Sequence, residues 1–192
     1  INTFGVGGLV GVVANGSISN SFAAGNITVD SIGSFENLPS NKDIGIGGLV
    51  GVYTAGEKIE ACFASGNIYV NNVGNLKNNT GQGGKSITFG AGGLLGINRI
   101  QLNTCYSSSS VDVNFAGEVA GISGGPVAAG VGGVSGISLA SVTNCYSSGS
   151  VKRTQSSKKE DAFTYFDSAF GGVIGTTAGT SATGYESLYF DY

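Results

Sequence analysis

The sequence predicts an all-β chain: a β-solenoid, or right-handed β-helix-like stack of coils, with almost no helix. Two observations lead to this prediction. A Gly-Gly pair recurs five times, with its first glycines spaced 40, 45, 40 and 39 residues apart. Short runs of β-forming residues follow each pair, and no window shows the apolar stripe of an amphipathic helix. A period near 40 residues is typical of repeat folds.

Four kinds of position recur in each copy. The glycine pairs are Gly7-Gly8, Gly47-Gly48, Gly92-Gly93, Gly132-Gly133 and Gly171-Gly172. The aromatic residues that follow them are Phe22, Phe63, Tyr106, Tyr146 and Tyr185. Four residues before each aromatic stand Ile18, Ile59, Leu102 and Val142, with Ser181 breaking the pattern. Five residues after it stand Ile27, Ile68, Val111, Val151 and Phe190.

Equivalent positions of a parallel solenoid stack about 4.8 Å apart, so each column of the repeat becomes a ladder. We expect aliphatic ladders and an internal stack of aromatic rings. With a fully buried ring, Tyr146→Ala should cost about 3–5 kcal/mol of stability. The glycines suit corners with φ > 0 or close approach of two backbones.

Each copy is predicted to contain three short strands, as in 49–53, 58–63 and 67–70 of the second copy. The copies span residues near 5–29, 45–70, 90–113, 130–151 and 169–192. A continuous repeat predicts one elongated domain over residues 1–192. The absence of methionine and the start at Ile1 suggest a piece of a longer polypeptide.

The segments between copies vary in sequence and are predicted to be exposed loops or an extra strand on one side of the solenoid. They are residues 30–46, 71–91, 114–131 and 152–170. Any partner is expected to bind here, because here the copies differ. The basic candidates for such contacts are Lys85, Lys152, Arg153, Lys158 and Lys159.

The three cysteines, Cys62, Cys105 and Cys145, occupy one column directly before the aromatic residue. Ser21 and Gly184 take this place in the outer copies. We expect inward-facing structural thiols, because free cysteine is among the most buried residue types. The chain has neither a CxxC pair nor Cys/His spacing, so no metal site is predicted.

Composition argues against several functions. Charged residues make up 11% of the chain and the net charge is −3, which gives no reason to expect a nucleic-acid partner. No apolar run approaches the length of a membrane span. There is no histidine, which removes Ser-His-Asp and Cys-His nucleophiles and HExxH zinc sites. The glycines at 45–51 do not have dinucleotide-binding spacing, and Asn79 stands where a P-loop ending at Lys85 needs glycine, so no cofactor is expected.

A pair of carboxylates, as in parallel β-solenoid glycosidases, is the remaining catalytic option. The candidates are Asp43, Asp112 and Asp167, and none repeats in register with another. Asp112 lies between Val111 and Val113, so it points outward if both valines face the core. We expect these carboxylates to be solvated surface groups, and we do not expect the chain to be an enzyme.

Two stretches carry a family resemblance. They are Gly47-Gly48-Leu49-Val50-Gly51 with Cys62-Phe63-Ala64-Ser65-Gly66, and Gly132-Gly133-Val134-Ser135-Gly136 with Cys145-Tyr146-Ser147-Ser148-Gly149-Ser150-Val151. This signature closely resembles the GLUG motif repeat, and the resemblance extends over essentially the whole chain. It departs in the last copy, where Gly184-Tyr185-Glu186-Ser187 replaces the cysteine signature.

The resemblance implies large secreted or surface-attached bacterial proteins, including adhesin-like proteins and immunoglobulin A-cleaving metallopeptidases. In these the repeats look like accessory, non-catalytic regions. We therefore expect an extracellular or cell-surface stalk or adhesive module that binds a host protein or glycan. The alternative is an accessory domain that positions substrate for a peptidase or glycosidase elsewhere in the polypeptide.

Overall fold

The computed structural model describes residues 3–36, 40–78, 86–121, 127–155, 168–177 and 185–191. These residues contain no helix, and their strands form six sheets that we call A to F. Neighbouring strands within each sheet are parallel and belong to successive copies of the repeat. The chain is therefore an all-β solenoid of five coils, and the predicted fold class is confirmed. No helix in the described part is long and apolar enough to cross a membrane.

Each coil visits the sheets in alphabetical order. Sheet A contains Thr3–Gly7, Lys42–Gly47, Ile87–Gly92, Val127–Gly132 and Ser168–Gly171. Sheet B contains Val10–Val13, Val50–Tyr53, Leu95–Asn98, Ser135–Ser138 and Ile174–Thr176. Sheet C contains Ile18–Ser19, Lys58–Glu60, Gln101–Asn103, Val142–Thr143 and Tyr185–Glu186.

The remaining three sheets complete the coil. Sheet D contains Phe22–Ala24, Phe63–Ser65, Tyr106–Ser107, Tyr146–Ser147 and Tyr189–Phe190. Sheet E contains Ile27–Val29, Ile68–Val73, Val111–Phe115 and Val151–Gln155. Sheet F contains Phe35–Glu36, Leu76–Asn78 and Val119–Gly121. Coils 1 to 3 thus carry six strands each, twice the three that the sequence predicted.

The extra strands come from the variable segments, which are not simply exposed loops. Sheet F arises entirely within them, and so does all but the last residue of each sheet A strand in coils 2 to 5. Leu76, Ile87 and Phe89 are fully buried because these strands close one side of the coil. Of the two predictions for these segments, exposed loops or an extra strand on one side of the solenoid, the described parts therefore follow the second.

The coil has two large hydrophobic cores and a small third cluster of Val52, Ile97 and Ile137. The first lies between sheets A, E and F, and its large buried side chains include Ile44, Phe89 and Phe115. The second lies between sheets B, C and D, and includes Leu49, Ile59 and Cys62. Each aliphatic ladder predicted from the sequence runs through one of these cores.

The recurring glycines allow sheets A and B, which line the two cores, to pack closely against each other. Sheets A and B pack back to back, and a Cβ atom on Gly51 would lie 2.8 Å from the carbonyl oxygen of Gly45 in sheet A. Gly51 adopts no positive φ. Close backbone approach, rather than left-handed geometry, therefore explains why glycine recurs at this position of the repeat.

The last coil differs from the sequence-based alignment. Tyr189, not Tyr185, pairs with Tyr146 in sheet D, while Tyr185 pairs with Val142 in the aliphatic column of sheet C. The position before the aromatic is Leu188, which packs against the second core. Phe190 pairs with Ser147 rather than with Val151. Ser181 and Gly184, which the alignment used, lie outside the described residues.

A corner with left-handed backbone precedes sheet D in every coil. Its members share φ values between 48° and 52°, and they are Asn20, Ala61, Thr104, Asn144 and Ser187. Asparagine tolerates this conformation, whereas a β-branched residue rarely adopts it. Thr104 therefore carries local backbone strain.

We expect Thr104→Asn to stabilise the chain by about 1 kcal/mol, because asparagine relieves this strain. Urea unfolding followed by circular dichroism measures the change. The reciprocal control is Asn144→Thr, which should destabilise by a similar amount. If both variants unfold like the parent, the corner is not left-handed.

Candidate functional site

The aromatic column faces solvent, so the prediction of an internal ring stack is wrong. Phe22 is 68% exposed and Tyr189 is 64% exposed, while Phe63, Tyr106 and Tyr146 are half-buried. The reason is strand alternation: around each of the three middle rings, the cysteine before the ring and the small residue after it are both buried, which leaves the ring outside.

The three middle rings form a stacked ladder on the outer face of sheet D. Phe63 and Tyr106 lie 4.9 Å apart between ring centroids, and Tyr106 and Tyr146 lie 5.2 Å apart, with planes within 13° of parallel. Both faces of Tyr106 are therefore covered by its neighbours. The middle of this ladder offers ring edges and hydroxyl groups, not flat ring faces, to a ligand.

The tyrosine hydroxyl groups of the ladder have partners in the next coil. The Tyr106 hydroxyl lies 3.2 Å from Ser148 Oγ, and the Tyr146 hydroxyl donates to Asp191 at 3.4 Å. Desolvation, followed by the negative charge of Asp191, raises the pKa of Tyr146. The hydroxyl groups of the ladder are therefore hydrogen-bonded within the protein.

We expect Tyr146→Ala to cost about 1–2 kcal/mol of unfolding free energy, less than a buried ring would. The substitution removes a single stacking contact, and only part of the area of the Tyr146 ring is shielded from water in the folded chain. Chemical denaturation measures the difference. Phe22→Ala, at the exposed end of the column, serves as the control and should change stability by less than about 0.5 kcal/mol. A loss of 3 kcal/mol or more for Tyr146→Ala would contradict the outward orientation.

The cysteine column is internal and structural, as predicted. Cys62, Cys105 and Cys145 are free thiols with 2% exposure or less. The thiols of Cys105 and Cys145 each donate to the carbonyl oxygen two residues earlier, at 3.2 Å. Hydrogen bonding to the neighbouring thiols, with burial, raises the pKa of Cys105, so this thiol stays protonated. Within the described ranges, no group of three potential ligands that could hold a metal ion occurs.

A shallow groove of about 270 Å³ lies on the outer face of sheet E, and we call it the sheet E groove. Its lining residues come from coils 2, 3 and 4: Tyr69, Val70, Asn71, Asp112, Asn114, Lys152 and Thr154. Asp112 points outward because Val111 and Val113 are both buried, as the alternation predicted. The parallel pairing places Tyr69, Asp112 and Lys152 side by side in one column.

Hydrogen bonds fix most of the groove's polar side chains. Lys152 Nζ donates to Asp112 Oδ2 at 3.2 Å. The amide nitrogen of Asn71 donates to Asp30 at 3.1 Å, and that of Asn114 donates to the backbone oxygen of Asn71 at 3.0 Å. The groove is thus a pre-organised polar surface with one partly exposed ring, Tyr69, at 38% exposure.

The basic residues that the sequence offered as candidates for partner binding do not lie in one environment. Lys152 lines the sheet E groove, on a strand rather than in a loop. Arg153 lies on the same strand but in the inward column of Val113, with its guanidinium 4.8 Å from the centre of the Phe115 ring. Burial lowers the pKa of Arg153. Lys85, Lys158 and Lys159 lie outside the described residues.

The two candidate carboxylates in the described residues form ion pairs, and they lie on different sheets. Asp43, at the start of its sheet A strand, accepts two hydrogen bonds from Arg99 at 2.9 and 3.0 Å. Asp112 on sheet E is paired with Lys152. Asp167 lies outside the described residues. The structure therefore brings Asp43 and Asp112 to separate faces of the coil.

Sequence reasoning missed Tyr69, and it named the segments that begin at Asn71 and Asn114 without naming these two residues. The signal was present: Tyr69 stands between Ile68 and Val70, which are both buried, so alternation puts its ring outside. The groove needs residues from three coils, however, and only the register of the stack shows that they meet.

Comparison with known families supports the repeat. Residues 2–28 match the family described as the GLUG motif. Coil 1 therefore carries a GLUG motif. These residues make up most of coil 1, with which the coil 2 strands pair in register, and the stack continues to coil 5. The GLUG motif points to a repeat domain of the kind found in surface or secreted proteins. No curated protein and no solved structure matches the chain significantly.

Proposed function

We propose that this GLUG repeat chain is a non-catalytic adhesive or stalk module of a secreted bacterial protein, located at the cell surface or outside the cell. It binds a host protein or glycan through side chains on the outside of its coils. The observation that supports this proposal is the sheet E groove. Its polar groups are fixed by the fold and present a built surface on the side of the stack.

The groove also agrees with the expectation that partners bind the variable segments. Asn71 opens segment 71–91, while Lys152 and Thr154 open segment 152–161. These positions lie next to one another on sheet E because the coils stack in register.

The second candidate is an accessory domain that positions substrate for a peptidase or glycosidase elsewhere in the same polypeptide. The open shape of the groove favours it, since a polymer can lie across such a surface while another domain acts on it. In both cases Asp112, paired with Lys152, serves as a hydrogen-bond acceptor for the ligand.

The test is a glycan array and a host-protein array probed with the folded 192-residue chain. We expect a reproducible ligand on at least one array. Binding should be lost when segment 71–91 or 152–161 is replaced by the matching segment of another coil. The control is replacement of residues 31–46, which leaves Asp30 in place, with folding of each variant verified by circular dichroism. Silence of the folded chain on both arrays would overturn the adhesive proposal and leave a spacer.

A further inference from the structure

We propose that the sheet E groove is a binding site for a neutral saccharide, one or two sugar rings in size. This inference rests on the proposed binding function and specifies its site and ligand class. The sugar would place the apolar face of a ring against Tyr69, with hydroxyl groups directed to Asp112 and to the amide groups of Asn71 and Asn114.

Tyr69 differs from the aromatic ladder in what flanks its ring. Its neighbours in the column are Thr28 in coil 1 and Asp112 in coil 3, and neither side chain carries an aromatic ring. The ladder rings of sheet D cover one another, whereas the Tyr69 ring is 38% exposed at the wall of a groove. The electron-rich face of an aromatic ring attracts the weakly positive C–H edges of a sugar ring.

The polar atoms around Tyr69 suit hydroxyl groups. Asp112 accepts from Lys152 through Oδ2, and a carboxylate has further lone pairs that accept hydrogen bonds from a ligand. Asn71 and Asn114 are each held by a hydrogen bond to the protein. A ligand that binds them therefore does not have to immobilise either side chain, which lowers the entropic cost of binding.

The charge and the volume of the sheet E groove limit which ligands it can bind. The groove and its supporting residues contain two carboxylates, Asp30 and Asp112, against one cation, Lys152. The excess negative charge disfavours anionic sugars, phosphates and sulfated chains. A volume of about 270 Å³ lies just below the usual range of small-molecule pockets, which fits one or two sugar rings.

The experiment titrates the full chain with glucose, galactose, N-acetylglucosamine, lactose and cellobiose, and reads binding by saturation-transfer NMR and calorimetry. We expect at least one of these sugars to bind. Tyr69→Thr, which copies the residue of coil 1 in the same column, should weaken that binding at least tenfold, and Asn114→Ala should weaken it severalfold. Tyr106→Phe on the ladder is the matched control and should leave the affinity within twofold.

Four results would overturn the inference. Binding that survives Tyr69→Thr but is lost with Tyr106→Phe would move the site to the ladder. Preference for an anionic probe, such as glucuronic acid, would contradict the charge argument. If no sugar binds while the host-protein array still gives a ligand, the saccharide site is wrong and the adhesive proposal stands. If both are silent, both proposals fail.

Discussion

Gly96→Ala should lower the free energy of unfolding by about 4 kcal/mol or more, or prevent folding altogether. A Cβ atom at Gly96 would lie 2.5 Å from the carbonyl oxygen of Gly51 and closer still to the backbone nitrogen of Ile46. These are backbone atoms in the middle of sheets A and B, so they cannot rotate away. The two sheets would have to separate, which would disturb both cores along several coils.

The matched control is Gly25→Ala, because a Cβ atom there meets nothing within 4 Å and the residue has no positive φ. It should be neutral or stabilise slightly, by up to about 1 kcal/mol, since alanine restricts the unfolded chain. Thermal and urea unfolding of both variants measure the contrast. If Gly96→Ala unfolds like Gly25→Ala, sheets A and B do not pack back to back as described.

The second large effect is expected for Phe89→Ala, which should cost about 3–5 kcal/mol. Phe89 is fully buried in the first core, and its ring meets Phe115 edge to face at 5.3 Å between centroids. Removing it leaves a cavity under sheet E and takes away this aromatic contact. Calorimetry together with urea unfolding gives the value.

Phe4→Ala is the control, because Phe4 occupies the same column of sheet A as Phe89. It lies in coil 1 and is 48% exposed, so its loss should cost about 1 kcal/mol or less. Equal losses for the two variants would mean that the first core does not lie between sheets A, E and F.

The sequence predicted the stacking register well, because glycine and aliphatic positions repeat at fixed offsets. The structure pairs Gly7 with Gly47, and Ile18 with Ile59, as the alignment proposed. The two-core cross-section was not predictable in the same way. It depends on which strands face one another across the coil, and a one-dimensional repeat contains no such information.

The orientation of the aromatic column was predicted incorrectly because large apolar rings usually lie inside a protein. Here the three middle rings instead lose water contact by stacking on one another, as Tyr106 does on Phe63 and Tyr146. The correct orientation was present in the alternation: Cys105 and Ser107, on either side of Tyr106, are small residues that fit the narrow second core.

The register of the last coil was missed for a different reason. The distance from the second glycine of the pair to the aromatic is 14, 15, 13 and 13 residues in the first four coils. In coil 5 the paired aromatic is Tyr189, 17 residues after Gly172. Tyr185 falls at the familiar distance by coincidence, and only the strand pairing distinguishes the two tyrosines.

The central structural claim is that side chains alternate between the cores and the outer surface of the coil, and the most direct test is a thiol-reactivity scan along one strand. Single cysteines are placed at positions 105, 106, 107 and 108 in a chain whose other cysteines are alanine. The native protein is then treated with iodoacetamide, and the unfolded protein serves as the reference for full reactivity. We expect Tyr106→Cys and Ser108→Cys to react readily, while Cys105 and Ser107→Cys are protected. The reverse pattern, with Cys105 reactive and position 106 protected, would put the aromatic ladder inside and contradict the inward and outward orientation of side chains described for the coil.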